Sequence, residues 1–124
     1  MGIAGIWKNE LDSKMTPVDD GEGRLSGTYL SSKAGNDKQT EPLTGLYRAT
    51  TYGNGCYIGW IVCYSSTEEP DTDPAVCAWS GRYSIQNGQE VIETTCLLTV
   101  PSEEIANWDN TLVGKDRLTK TDDQ

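Results

Sequence analysis

The sequence predicts an all-β fold, and three observations carry the prediction. Turn-forming residues recur about every ten positions: Asp20-Gly21, Glu22-Gly23, Gly35-Asn36-Asp37, Gly53-Asn54-Gly55, Pro70 to Pro74, and Asn87-Gly88. The runs between them are rich in Thr, Tyr, Val, Ile and Trp. No segment keeps an apolar period of about 3.6 residues. Residues 102–107 (SEEIAN) hold the one helical hint, where Ser102 followed by Glu103 and Glu104 suits a single short turn. Short strands at such spacing belong to a sandwich or a barrel.

The turns delimit eight strands, at roughly 4–10, 14–18, 24–31, 42–50, 55–65, 76–85, 90–99 and 110–120. Asp20 to Gly23 separates the second from the third, and Gly35-Asn36-Asp37 the third from the fourth. Gly53-Asn54-Gly55 closes the next hairpin, and the stretch from Pro70 to Pro74 the one after it. Consecutive hairpins without a crossover make an antiparallel up-and-down meander. Eight strands can close into a β-barrel, which removes free edges and leaves a small lumen. The chain, residues 1–124, reads as one domain.

The clearest hairpin spans 79–99. Asn-Gly suits a two-residue type I′ turn, because both central positions take positive φ. With Asn87-Gly88 as the turn, paired positions sum to 175. Trp79 then faces Cys96, Cys77 faces Leu98 and Tyr83 faces Ile92. Cys77, Trp79, Cys96 and Leu98 share one strand face, a plausible cavity wall. The strand Cys56–Tyr64 is apolar on both faces: Cys56, Ile58, Trp60, Val62 and Tyr64 on one, Tyr57, Ile61 and Cys63 on the other. A barrel strand between lumen and partner subunit explains this. So does the central strand of a sandwich.

Composition excludes several functions. There is no histidine, so His-based dyads, triads and metal sites are absent. Ten basic residues against 19 acidic ones leave a net charge of −9, which repels phosphate backbones, and no nucleic-acid partner is expected. No apolar run approaches the ~18 residues of a membrane-spanning helix. The cysteines at 56, 63, 77 and 96 form no C-x-x-C pair, so no metal is expected. They read first as reduced small hydrophobes; the alternative, a Cys77–Cys96 bridge, needs a register shift or a bulge, because with Asn87-Gly88 as the turn the two are diagonal, about 7–8 Å apart. No signal peptide is evident after Met1-Gly2, and the compartment stays open. The acidic clusters Asp71-Thr72-Asp73 and Asp19-Asp20-Gly21-Glu22 lack calcium-loop spacing and read as solvated turns. A nucleophilic cysteine lacks a histidine base, so no enzyme is expected.

Ordered motifs then carry a resemblance. Gly5-Ile6-Trp7-Lys8-Asn9-Glu10-Leu11-Asp12-Ser13 is similar to the G-x-W-x-N-x-L-x-S opening of avidin and streptavidin proteins. Gly27-Thr28-Tyr29 with Ser31, Leu43-Thr44-Gly45, Gly59-Trp60-Ile61-Val62, Trp79-Ser80-Gly81 and Thr95-Cys96-Leu97-Leu98-Thr99 follow in that family's order. Trp108 with Thr111-Leu112-Val113-Gly114-Lys115-Asp116 closes the match. The stretch 9–15 and the ending Leu118-Thr119-Lys120-Thr121 most resemble the fungal, tamavidin-like branch.

The resemblance implies a barrel that binds biotin without catalysis or cofactor, assembled as a homotetramer. It implies that Asn9, Ser13 and Tyr29 donate to the ureido oxygen of biotin, while Ser31 and Asp116 accept from its two N–H groups. Three donors around one oxygen resemble an oxyanion hole, and a carboxylate on the N–H side polarises the urea. Leu11 and Leu98 belong to the same pocket. The ring cage departs from the family. Trp79 and Trp108 keep two of four tryptophans, Trp108 as the cap on a neighbouring subunit's pocket. Tyr64 and Cys96 stand for the other two, and Cys77 stands for a threonine near the biotin sulfur. Ala75 aligns with the serine that meets the valerate carboxylate, and Asn36 in the 32–41 loop is the position expected to touch that group. Trp7 and Trp60 are expected to be structural. Exchanging an indole for a thiol removes roughly 100 Å² of apolar contact, about 2–4 kcal/mol, so binding is expected to be weaker than in the strongest family members. Two other readings stand beside this one: a barrel adapted to a different small ligand, and a scaffold with a vestigial pocket.

Overall fold

The structure, a computed structural model, describes residues 2–31, 40–51, 53, 55–64, 75–99 and 111–121. Eight strands follow one another: β1 (Ile6–Asn9), β2 (Lys14–Asp19), β3 (Arg24–Leu30), β4 (Glu41–Ala49), β5 (Cys56–Tyr64), β6 (Ala75–Gln86), β7 (Gln89–Thr99) and β8 (Thr111–Thr121). Each pairs antiparallel with the next, and β8 returns to β1, so the sheet is a closed barrel. Closure decides between the barrel and sandwich readings of β5.

The hairpin geometry follows the turn chemistry. Asn87 and Gly88 have φ of 52° and 81°, the left-handed values a type I′ turn requires. The expected register holds along β6 and β7, with Trp79 opposite Cys96, Cys77 opposite Leu98 and Tyr83 opposite Ile92. β1 is shorter than expected, because Asn9 turns its side chain into the next loop. Its Oδ1 accepts from the backbone N–H groups of Leu11 and Ser13, both at 2.9 Å, and Asp12 takes φ of 65°. The helical hint at 102–107 lies outside the described residues.

Alternation sorts β5 as a barrel wall. Cys56, Ile58, Trp60 and Val62 are buried in the interior, while Tyr57, Ile61 and Cys63 face outward and are exposed. All four cysteines are free thiols. Trp60 lies beside Gly45, which must lack a side chain: a Cβ there would come within 2.8 Å of the Trp60 Cβ.

One end of the barrel is plugged around Trp7. Its indole N–H donates to the Ile3 carbonyl at 2.8 Å, and Tyr83 meets its ring edge-on at 6.0 Å. Lys120 Nζ sits 5.5 Å from the ring centroid and bridges to Glu90 at 3.3 Å. Trp7 and Trp60 are both buried in the interior.

The Tyr83 hydroxyl donates to Glu90 Oε1 at 2.6 Å. This bond, and then the Lys120 charge, hold the Glu90 carboxyl below its ordinary 4.5. A depressed folded-state pKa adds stability that is complete above the unfolded value and is lost as pH falls through the folded one. Glu90→Gln should therefore lower stability at pH 7 and flatten its decline below about 4.5, read by urea unfolding across that range. Equal slopes for both proteins would refute the assignment.

The candidate ligand site at the open rim

The C-terminal ends of β1, β3, β5 and β7 and the N-terminal ends of β2, β4, β6 and β8 form the opposite rim. Polar side chains gather on its inner face. With Oδ1 of Asn9 committed to the turn, its Nδ2 is the donor left for a ligand. Ser13 and Tyr29 are both buried, and their hydroxyls hydrogen-bond to each other. Ser31 follows directly on β3 and is half-buried.

Asp116 lies across the lumen on β8. Its Oδ2 accepts from the indole N–H of Trp79 at 3.0 Å, joining residues 37 apart in sequence. The Trp79 ring lies 4.9 Å from Tyr29 on one side and stacks on Trp60 at 5.3 Å on the other, with 16° between the planes. Ser13, Tyr29, Trp79 and Asp116 thus form a continuous chain across the rim. Thr94, itself buried, donates to the Asp116 backbone carbonyl at 3.0 Å and anchors that stretch of β8.

Burial sets the protonation of the site. Desolvation raises the Tyr29 phenol, opposed by the Ser13 bond and aided by the Asp116 charge. Tyr64 is raised by burial first, then by Tyr29, Cys77 and Glu41. Both phenols keep their protons at neutral pH and remain donors. Burial pushes the Cys77 thiol up to about 12, with Cys96 adding to it. Cys96 is raised by burial and then by Asp116.

The other expected residues fall as follows. Cys77, Trp79 and Cys96 line one inner wall, and Leu98 pairs with Cys77. Ala75, the first residue of β6, pairs with Tyr64. Leu11 is 62% exposed on the turn between β1 and β2. Asn36 and Trp108 lie outside the described residues. One rim residue was missed: Glu41, only 7% exposed, opposite Tyr29 in the register and close enough to raise Tyr64. Its signal was present in β4, where Glu41, Leu43 and Gly45 alternate inward. Starting the strand at 42 hid it.

Donors on one side, a carboxylate on the other and a stacked indole between them can hold a flat polar group with one acceptor and adjacent N–H donors. The architecture is a closed antiparallel barrel with a polar-lined mouth, the kind that can enclose one small ligand. The model of the Avidin family matches residues 1–121, and the chain belongs to that family.

The outer wall has its own pattern. Ile61, Ala78, Leu97 and Val113 are paired in succession across β5, β6, β7 and β8, forming a continuous outward row. Ile61, Leu97 and Val113 are exposed. A groove of about 850 Å³ adjoins the row, lined by Thr44, Leu46, Ile61 and Ala78. No helix among the described residues is long and apolar enough to cross a membrane.

Proposed function

We propose that the protein is a non-catalytic binder of biotin, held at the open rim. The observation that carries this reading is the joined set Ser13, Tyr29, Trp79 and Asp116 within an avidin-family barrel. Biotin presents a planar cyclic urea. Its carbonyl oxygen suits the donors Asn9, Ser13 and Tyr29, and its N–H groups suit Ser31 and Asp116. Trp79 and Tyr64 supply apolar faces for the rest of the bicycle. Cys77 and Cys96 stand where the family has larger or more polar partners, so affinity falls below that of its strongest members. In the same proposal Asn36 and Ala75 meet the biotin carboxylate, and Leu11 and Leu98 are further pocket residues. Calorimetric titration with biotin should give saturable binding at one ligand per chain. No heat at millimolar biotin would overturn the reading and favour the vestigial scaffold.

Self-association belongs to the same proposal. The row from Ile61 to Val113 is a contiguous apolar patch of the kind that marks protein contacts. A second copy of the chain covers it in a homotetramer, and Trp108 caps a neighbour's pocket. Leu97→Lys places a charge in the middle of this row and should reduce the assembly to smaller species in sedimentation velocity. An unchanged sedimentation coefficient would place the interface elsewhere.

A further inference from the structure

Two thiols share the pocket wall without a role in holding the urea group. The register sets Cys77 opposite Leu98 and Cys96 opposite Trp79, so the cysteines are diagonal neighbours on the inner face of β6 and β7. Their thiols hydrogen-bond to each other. Cys77 is 5% exposed, and Cys96 is half-buried. On the adjoining strand, Gly114 has no side chain, and a Cβ there would stand 3.4 Å from the Cys96 Sγ. That glycine leaves space beside the sulfur.

Diagonal positions in an antiparallel pair stand about 7–8 Å apart. Bonded cysteines need Cα separations of about 4.4–6.8 Å. A direct S–S bond therefore requires β6 and β7 to shift. A single atom bound to both sulfurs lengthens the link by one bond and spans the diagonal with the strands in place.

We propose that Cys77 and Cys96 form a dithiol site for trivalent thiophilic ligands, of which an organic arsenoxide is the chemical type, and that its occupation excludes biotin from the rim. Only the second clause rests on the biotin reading. In the reaction, R–As=O and two thiols give R–As(SR′)₂ and water. Two As–S bonds form and the As=O bond breaks. The two thiol protons leave with the oxygen, and arsenic stays trivalent, so no oxidant is needed. Burial keeps both thiols protonated, which slows reagents that attack one thiolate at a time. A two-thiol reagent gains from its second bond, which forms within the same molecule.

The test uses the reduced full-length chain, phenylarsine oxide and intact-mass analysis under native conditions. One reagent less one water should add to the wild type and to the Cys56→Ser, Cys63→Ser double variant. Cys77→Ser and Cys96→Ser should each abolish the adduct. An adduct that survives in either single variant, or none in the wild type, overturns the site. A Cys77–Cys96 disulfide formed on exposure to dioxygen, read as a loss of two hydrogens, would overturn the claim that the pair needs a bridging atom. The adduct should lose saturable biotin binding, and excess dithiothreitol should restore it. If the adduct forms and biotin binds unchanged, the exclusion clause fails. If unmodified protein binds no biotin while the adduct forms, the biotin reading fails and the dithiol site stands.

Discussion

Asp116→Ala should weaken biotin binding about 10- to 150-fold, the effect of losing one charge-assisted hydrogen bond of ~1.5–3 kcal/mol. In the proposed pose Asp116 accepts from the ligand's N–H, and in the structure it accepts from Trp79 at 3.0 Å. The Ala variant removes both interactions and leaves a buried indole N–H without its partner. Asp116→Asn separates the two effects. The amide oxygen can still accept from Trp79, while the NH2 takes the place of the oxygen that would face the ligand, so the loss falls on the ligand contact alone and lies within the same range, about 10- to 150-fold, without the cost to the indole. Calorimetry reads affinity, and a thermal melt without ligand reads the fold. Matching affinities for all three proteins would remove Asp116 from the site.

Gly81→Ala should be among the most damaging single methyl additions in the barrel wall. Gly81 lies in the middle of β6, between Ile58 on β5 and Thr94 on β7. A Cβ there would press into the Glu93 carbonyl oxygen, 2.8 Å from its carbon and 2.7 Å from the Thr94 Cα. These are backbone atoms of a paired strand, so nothing flexible can yield. Overpacking of this kind costs about 3 kcal/mol, a fall of roughly 10 °C in Tm for a domain this size. Gly88→Ala is the control. At φ of 81° the added Cβ meets nothing within 4 Å, so only the backbone preference opposes it. That loss should be near 1 kcal/mol. Melts followed by circular dichroism should rank the variants in that order, and a wild-type Tm for Gly81→Ala would refute the close approach.

Legibility in the sequence followed the range of the interactions involved. Asn87-Gly88 is a contact between neighbours, and it set the whole β6–β7 register, including the places of Cys77, Trp79 and Cys96. Inward alternation was equally local. Glu41 was lost through a boundary error of one residue, because its strand begins next to a long connection. The mutual hydrogen bond of Cys77 and Cys96 was not legible either. Diagonal positions carry no periodic signal, and whether their side chains meet depends on sheet twist.

The sequence by itself determined the eight strands, their antiparallel order, which residues of a strand share a face and, through its ordered motifs, the family resemblance. Those properties rest on turn chemistry and on the two-residue period of a strand, which act over a few residues. Tertiary structure bore out the closure that eight strands allow, and it alone decided that Cys56, Ile58, Trp60 and Val62 turn into the lumen and that Asp116 reaches Trp79 from 37 residues away. Both faces of β5 are apolar, so pattern could not choose its inner side. Pairing of β8 with β1 made that choice, because closing the sheet gives it one inside, and that inside had to accommodate the large rings of Trp7, Trp60 and Trp79.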